Sequence, residues 1–227
     1  MSENHQPFGN EEENEPEIWD EHRWEEFFKE SDRRTEKYSQ LLDKYMDHPD
    51  RDRMIAEEMG WTHLLDENDD TFNDWMEEFT DEYEEGEEWK QLTGYEPTEF
   101  DSFEDLPLHQ LAFEFTIDAM QMVDEHLADV EDESVQAFAR SITIPPAKIA
   151  GGFSFGFEIE SLGGNIANCK RGLKAANQML EALFEIGQKK LLDRDIYLEY
   201  YARAKEVRDE LAIYVVELRE RFQRGIS

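Results

Sequence analysis

The chain has 227 residues, a formal net charge of −34 at pH 7 and a mean hydropathy of −0.82, which is long enough for a buried core in one domain or two. An anionic balance this strong opposes direct contact with nucleic-acid phosphates and anionic membranes, and no apolar run reaches the length of a bilayer span. The charge is also regional: residues 1–139 carry 45 acidic and 9 basic side chains, whereas residues 140–227 carry 12 and 14.

Residues 1–16 are polar, acidic and bounded by Pro16, so a disordered tail is expected. They lack the basic and apolar regions of a signal peptide, and a cytoplasmic location is the default expectation. Residues 17–100 read as an acidic, Trp-rich helical extension. Within it, Trp24, Phe28, Ser31, Thr35, Tyr38, Leu42 and Tyr45 step alternately by four and three, predicting one long helix with an interior face. Pro49 should end it, and 50–59 reads as a short helix closed by Gly60.

Trp61, Trp75 and Trp89 recur every fourteen residues among the acidic runs DENDD and EEGEE. Each tryptophan can anchor an acidic segment to the body of the protein, or the set can form an acidic, aromatic recognition surface. Asp66, Asn68 and Asp70 alternate as calcium ligands do, but Thr71 stands where an EF-hand loop needs glycine, even though Glu77 falls at the closing position. From Met54 to Ala139 the sole cation is Lys90, against 28 carboxylates; a basic protein or divalent cations are the partners such a stretch invites.

Residues 101–227 carry the clearest helix signals. Leu108, Ala112, Phe115, Ala119, Met122 and His126 form one apolar stripe after Pro107, with Glu114, Asp118, Glu125 and Asp129 on another face. Val135, Phe138, Ile142, Pro145, Ile149 and Gly152 continue the 3–4 alternation through Pro145 and Pro146, which must kink or restart the helix. GGFSFGF is read as the turn into a central helix, its alternating phenylalanines lacking a partner strand. In that helix Ile159, Leu162, Ile166, Cys169, Leu173, Ala176, Leu180 and Leu183 keep a heptad seam. Gly187 and a short connection lead to Asp193, a capping residue for the last helix, whose seam is Ile196, Tyr200, Ala204, Val207, Leu211, Tyr214 and Leu218. The expected fold is all-α: an antiparallel, up-and-down four-helix bundle with an additional acidic helical N-terminal region.

Residues 103–223 resemble the four-helix-bundle family of proteins encoded in intervening sequences of large-subunit ribosomal RNA. The likeness rests on the helix order and two motifs. ITIPPAKIAGG resembles the family's kink motif through Pro146, Ile149, Ala150 and Gly152, with Arg140 upstream. NCKRGLKAANQML resembles the third-helix run through Gly172, Gln178 and Leu180. Lys148 and Gly151 replace the family's Asn and Glu. The resemblance implies a bundle without an established activity and a homo-oligomer, a closed pentamer in several members. Residues 1–100 lie outside it.

Chemistry-bearing groups are sparse. None of the six histidines sits three residues after a glutamate, as paired Glu-x-x-His two-metal bundles require. Glu114, Asp118, His126 and Asp129 form a looser candidate cation row, or simply a solvated face. Cys169, the single cysteine, falls on the seam and is expected to be a buried structural thiol. GGFSFG lacks the phosphate-loop pattern. The sequence therefore assigns no catalytic, cofactor or metal residues. The expected function is a non-enzymatic helical-bundle interaction or scaffold protein, self-associating, with an acidic surface for a basic protein partner. The alternatives are a polyanionic nucleic-acid mimic that occupies a nucleic-acid-binding protein, and a carboxylate metal-binding bundle.

Overall fold

The computed structural model describes residues 17–62 and 102–225. The chain is all-α, with no strand among the described residues, and it divides into two compact units. One unites residues 17–25 with 102–225; the other holds the described residues 26–62. The expectations for residues 1–16, for Trp75 and Trp89, and for the Asp66, Asn68 and Asp70 loop fall outside the described residues.

Helix α1 (Glu21–Tyr45) starts in the first unit and continues into the second. Asp20 starts it, its carboxylate accepting the backbone N–H groups of His22 and Arg23 at 3.0 and 2.9 Å, as an N-cap should. In the second unit, α2 (Arg51–Met59) ends at Gly60, whose φ of 77° is the left-handed conformation glycine tolerates. Glu58 ties α1 to α2, accepting from Lys44 at 2.9 Å and Tyr45 at 2.6 Å. The Trp61 ring lies 5.8 Å from Tyr38. Leu41 is the one buried residue of α1, one position before the predicted Leu42.

In the first unit, a short 3₁₀ turn (Phe103–Asp105) precedes α3 (Pro107–His126), with proline in the first turn, where its missing N–H costs nothing. Next come α4 (Glu133–Ile142), capped by the Asp132 side chain on the Ser134 N–H, and α5 (Ile144–Phe155), which Pro145 and Pro146 open. The predicted restart thus falls at Ile144. Thr116 makes the break tolerable: its hydroxyl lies 2.8 Å from the Ile142 carbonyl at the end of α4.

The GGFSFGF turn is shorter than its glycines suggest. Helix α5 runs through Gly151 and Gly152, and the chain turns only around Gly156 (φ 86°) before α6 (Ile159–Lys189). Gly152 serves helix contact instead: a Cβ there would stand 2.7 Å from Asn165 Oδ1 and 2.9 Å from Cys169 Sγ. Likewise α6 passes through Gly187, which faces the Tyr197 ring, and Lys190 ends the helix in a left-handed conformation. Helix α7 (Arg194–Gly225) follows directly after Asp193.

Helix α6 is the central element, packing against α4, α5 and α7. Gly152 faces Asn165, Lys148 faces Gly172, and Ser134 meets Lys189, so residue numbers fall along α4 and α5 as they rise along α6. The same holds between α6 and α7, where Gly187 faces Tyr197, Gly172 faces Leu211 and Ile159 faces Gly225. The inner stripe of α3 is buried except for His126, and the whole predicted seam of α4 and α5 is buried. On α6, Leu162, Ile166, Cys169, Ala176 and Leu183 are buried as predicted, joined by Met179 and Ile186. No helix among the described residues is long and apolar enough to cross a membrane.

Candidate functional site

The candidate cation row does not assemble. Asp118 pairs with Arg203 at 2.6 Å, while His126 lies 3.9 Å from Glu125. No group of three or more His, Cys, Asp or Glu side chains among the described residues is placed to hold a metal ion. Cys169 is fully buried, its thiol 3.4 Å from Asn165 Oδ1, and burial pushes its pKa up to about 12. At neutral pH it is a thiol and not a nucleophilic thiolate.

Two surface features stand out among the described residues. The first is the outer side of α3. Phe113, Ile117 and Met120 are 50%, 51% and 46% exposed, at successive steps of four and three, so the helix carries a second apolar stripe besides its buried one. Fixed polar groups border this stripe. His109, itself buried, stacks on Phe113 at 5.9 Å and meets Phe103 edge-on at 4.9 Å. Burial lowers its pKa despite the nearby Glu104 carboxylate, favouring the neutral ring. Arg203 holds Asp118 and lies over the Phe115 and Tyr200 rings, and the Tyr200 hydroxyl donates to the Asp118 carbonyl at 3.3 Å. Glu114 remains exposed beside Phe113.

The second surface is a groove on α5, α6 and α7 that holds residues 17–25. The Trp19 carbonyl and the Trp24 ring lie over Gly163, where a Cβ would come 2.8 Å from the Trp24 ring and closer still to that carbonyl. Glycine in a helix interior costs up to about 1 kcal/mol relative to alanine, and this close approach accounts for it. The Trp24 ring meets Phe155 edge-to-face at 4.9 Å and Trp19 edge-on at 5.2 Å.

Charge completes the contact. Glu21 accepts from Lys170 at 3.0 Å and from two nitrogens of Arg219 at 2.6 and 2.8 Å. Glu25 accepts from Arg171 at 2.8 Å. Burial works against the Glu21 charge, but the Arg219 and Lys170 donors outweigh it and hold the carboxyl at about 2 instead of 4.5. Lys170 and Arg219 also line a cleft of about 370 Å³, together with Leu173, Lys174, Gln178, Glu181 and Val215.

Neither surface follows from the seams alone. The apolar density of FEFTIDAM, too high for one helix face, signals the outer stripe of α3. The groove has a fainter sign, the cluster of Lys170, Arg171 and Lys174 beside small residues in a chain otherwise so acidic. Comparison with protein-family models, curated proteins and solved structures finds no match to this chain.

Proposed function

We propose that this chain is a non-enzymatic interaction or scaffold protein that self-associates, and that its acidic N-terminal region offers a surface to a basic protein partner. In this reading the C-terminal unit is an antiparallel, up-and-down four-helix bundle whose members are α3, α4 with α5, α6 and α7. The opposed register of α6 against α4, α5 and α7 supports that topology. Helix order and the proline restart are in keeping with the proteins of ribosomal RNA intervening sequences, and by that resemblance the assembly is a closed pentamer.

The observation that carries the reading is the outer stripe of α3. Phe113, Ile117 and Met120 are about half exposed at coiled-coil spacing on a helix whose opposite stripe already fills the core. Apolar anchors at such spacing are how one helix docks on another, and the stripe has no use in the interior.

Light scattering behind a sizing column tests this. The full-length chain is expected to elute as one discrete oligomer at low and high salt. Ile117→Asp should lower its mass with helical content unchanged, since it places a charge in an apolar contact. A monomeric wild-type chain at both salts would overturn self-association, and an unchanged oligomer in Ile117→Asp would move the interface off α3.

A further inference from the structure

We propose that the groove on α5, α6 and α7 is an interaction surface for a second copy of this chain, taking residues 17–25 of a neighbour in place of its own. The proposal rests on the reading of the chain as self-associating, but it concerns a different surface from the α3 stripe.

Residues 17–25 sit on the unit as a docked ligand sits, not as an element of its core. None of them is fully buried, yet Gly163 beneath them is. They are held by two tryptophans and two carboxylates, Glu21 and Glu25, against Phe155, a glycine and three cations. Contacts between groups so distant in sequence are chemically identical whether the segment comes from the same chain or from another.

The connectivity permits exchange. After Glu25, α1 passes into the other compact unit, and the chain returns to the groove's own unit only at Ser102. The link from segment to groove is therefore the whole of Glu26–Asp101, not a tight turn that would fix the partner. Exchange replaces an intramolecular contact by an identical intermolecular one, so the concentration of the chain decides between the two arrangements. Exchange of an identical element is a low-cost route to paired chains. Charge selects the occupant: a cationic groove in an acidic protein takes an acidic helix start bearing tryptophan, and every copy carries one.

The test uses the full-length chain carrying Glu21→Lys and Glu25→Lys, which disables its own segment, and a labelled peptide of residues 17–32 followed by fluorescence anisotropy. The peptide should bind this variant at least about tenfold more tightly than wild type, whose groove is already occupied. Binding should fade at high salt, and adding Lys170→Glu and Arg219→Glu should abolish it. If the disabled chain loses its helical signal, the reciprocal swap replaces it: the peptide with both lysines against the full-length chain carrying Lys170→Glu, Arg171→Glu and Arg219→Glu.

Exchange between whole chains is then read in an Ile117→Asp background, so that association through α3 does not contribute. There the Glu21→Lys, Glu25→Lys chain mixed with the Lys170→Glu, Arg219→Glu chain should form pairs that neither forms alone. Absence of peptide binding by folded variants would overturn the groove as a docking site. Peptide binding without mixed pairs would overturn exchange, leaving the contact purely intramolecular. Neither result depends on whether the α3 stripe associates.

Discussion

Helices α6 and α1 both carry a repeat at steps of three and four, and they come to opposite ends. Of the 31 residues of α6, fifteen are buried; of the 25 of α1, only Leu41 is. The difference lies in what surrounds the repeat. In α6 the seam is flanked by Gly163, Gly164, Gly172, Ala175 and Ala182, so neighbours approach on several sides and the helix is enclosed. In α1 the repeat mixes aromatics with the polar Ser31 and Thr35 between charged residues, and the helix surface carries pairs such as Arg34 with Glu30 and Gln40 with Glu36. Spacing selects a face; the size of the residues beside it decides how much of the helix can be covered.

The sharpest way to break this comparison is to remove volume from each side of it. Phe138, fully buried in α4, should cost about 3 to 5 kcal/mol when replaced by alanine, through lost burial and the cavity left behind. Tyr38→Ala in α1, at a residue 39% exposed, should cost no more than about 1 kcal/mol. Urea denaturation followed by circular dichroism compares them, and equal losses would mean that α1 has a core of its own. Adding volume to the enclosed side is the next largest effect. Gly152→Ala puts a Cβ 2.7 Å from Asn165 Oδ1 and 3.2 Å from the Asn165 carbonyl oxygen. It should destabilise by roughly 1 to 3 kcal/mol, although alanine is intrinsically the better helix former.

Much of the enclosed side was legible in the sequence. The inner seams of α3, α4 and α5, the restart at the proline pair and the Gly60 cap follow from spacing and backbone chemistry, which are local. Three things were not legible. Gly151 and Gly152 read as a turn because glycine is a poor helix former in isolation; the close approach of α6 that justifies Gly152 is a tertiary fact. Phe113, Ile117 and Met120 lie on the same helix as the core stripe, and periodicity reports the stronger face. Residues 17–25 divide by charge and position with the acidic N-terminal region, yet they pack with the near-neutral C-terminal part. That asymmetry, which suggested separation, is what joins them: Glu21 and Glu25 find cations 146 to 198 residues away.

Acid should loosen that joint before it affects the apolar core. The Glu21 carboxyl is held at about 2 against an ordinary 4.5, so the folded state binds its proton less readily than the unfolded one. The stabilisation is complete above about pH 4.5 and is lost as the pH falls toward about 2. A shift of that size corresponds to on the order of 2 kcal/mol once solvent screening at half-exposed Arg219 is allowed for. Many other carboxylates titrate in the same range, so the relevant quantity is wild type minus Glu21→Gln. That difference should be present at neutral pH and vanish near pH 2; a constant difference across the range would mean that Glu21 acts by packing and not by charge.

The smallest effect belongs to the exposed surface of α1, and it sharpens the contrast with the Glu21 contact. Arg34 and Glu30 are 2.9 Å apart at i and i+4, with side chains 70% and 60% exposed, whereas the Glu21 side chain is only 13% exposed between Lys170 and Arg219. Similar separations in different surroundings should give different energies, because water and salt screen the first pair and the second is partly shielded. Glu30→Gln should change stability by no more than about 0.5 kcal/mol, and high salt should erase even that. A double-mutant cycle on Glu30 and Arg34, set beside one on Glu21 and Arg219, measures both couplings directly. Equal couplings would show that distance alone governs these pairs; a larger one at Glu21 would mark partial burial as what strengthens the contact that holds residues 17–25 on their own unit.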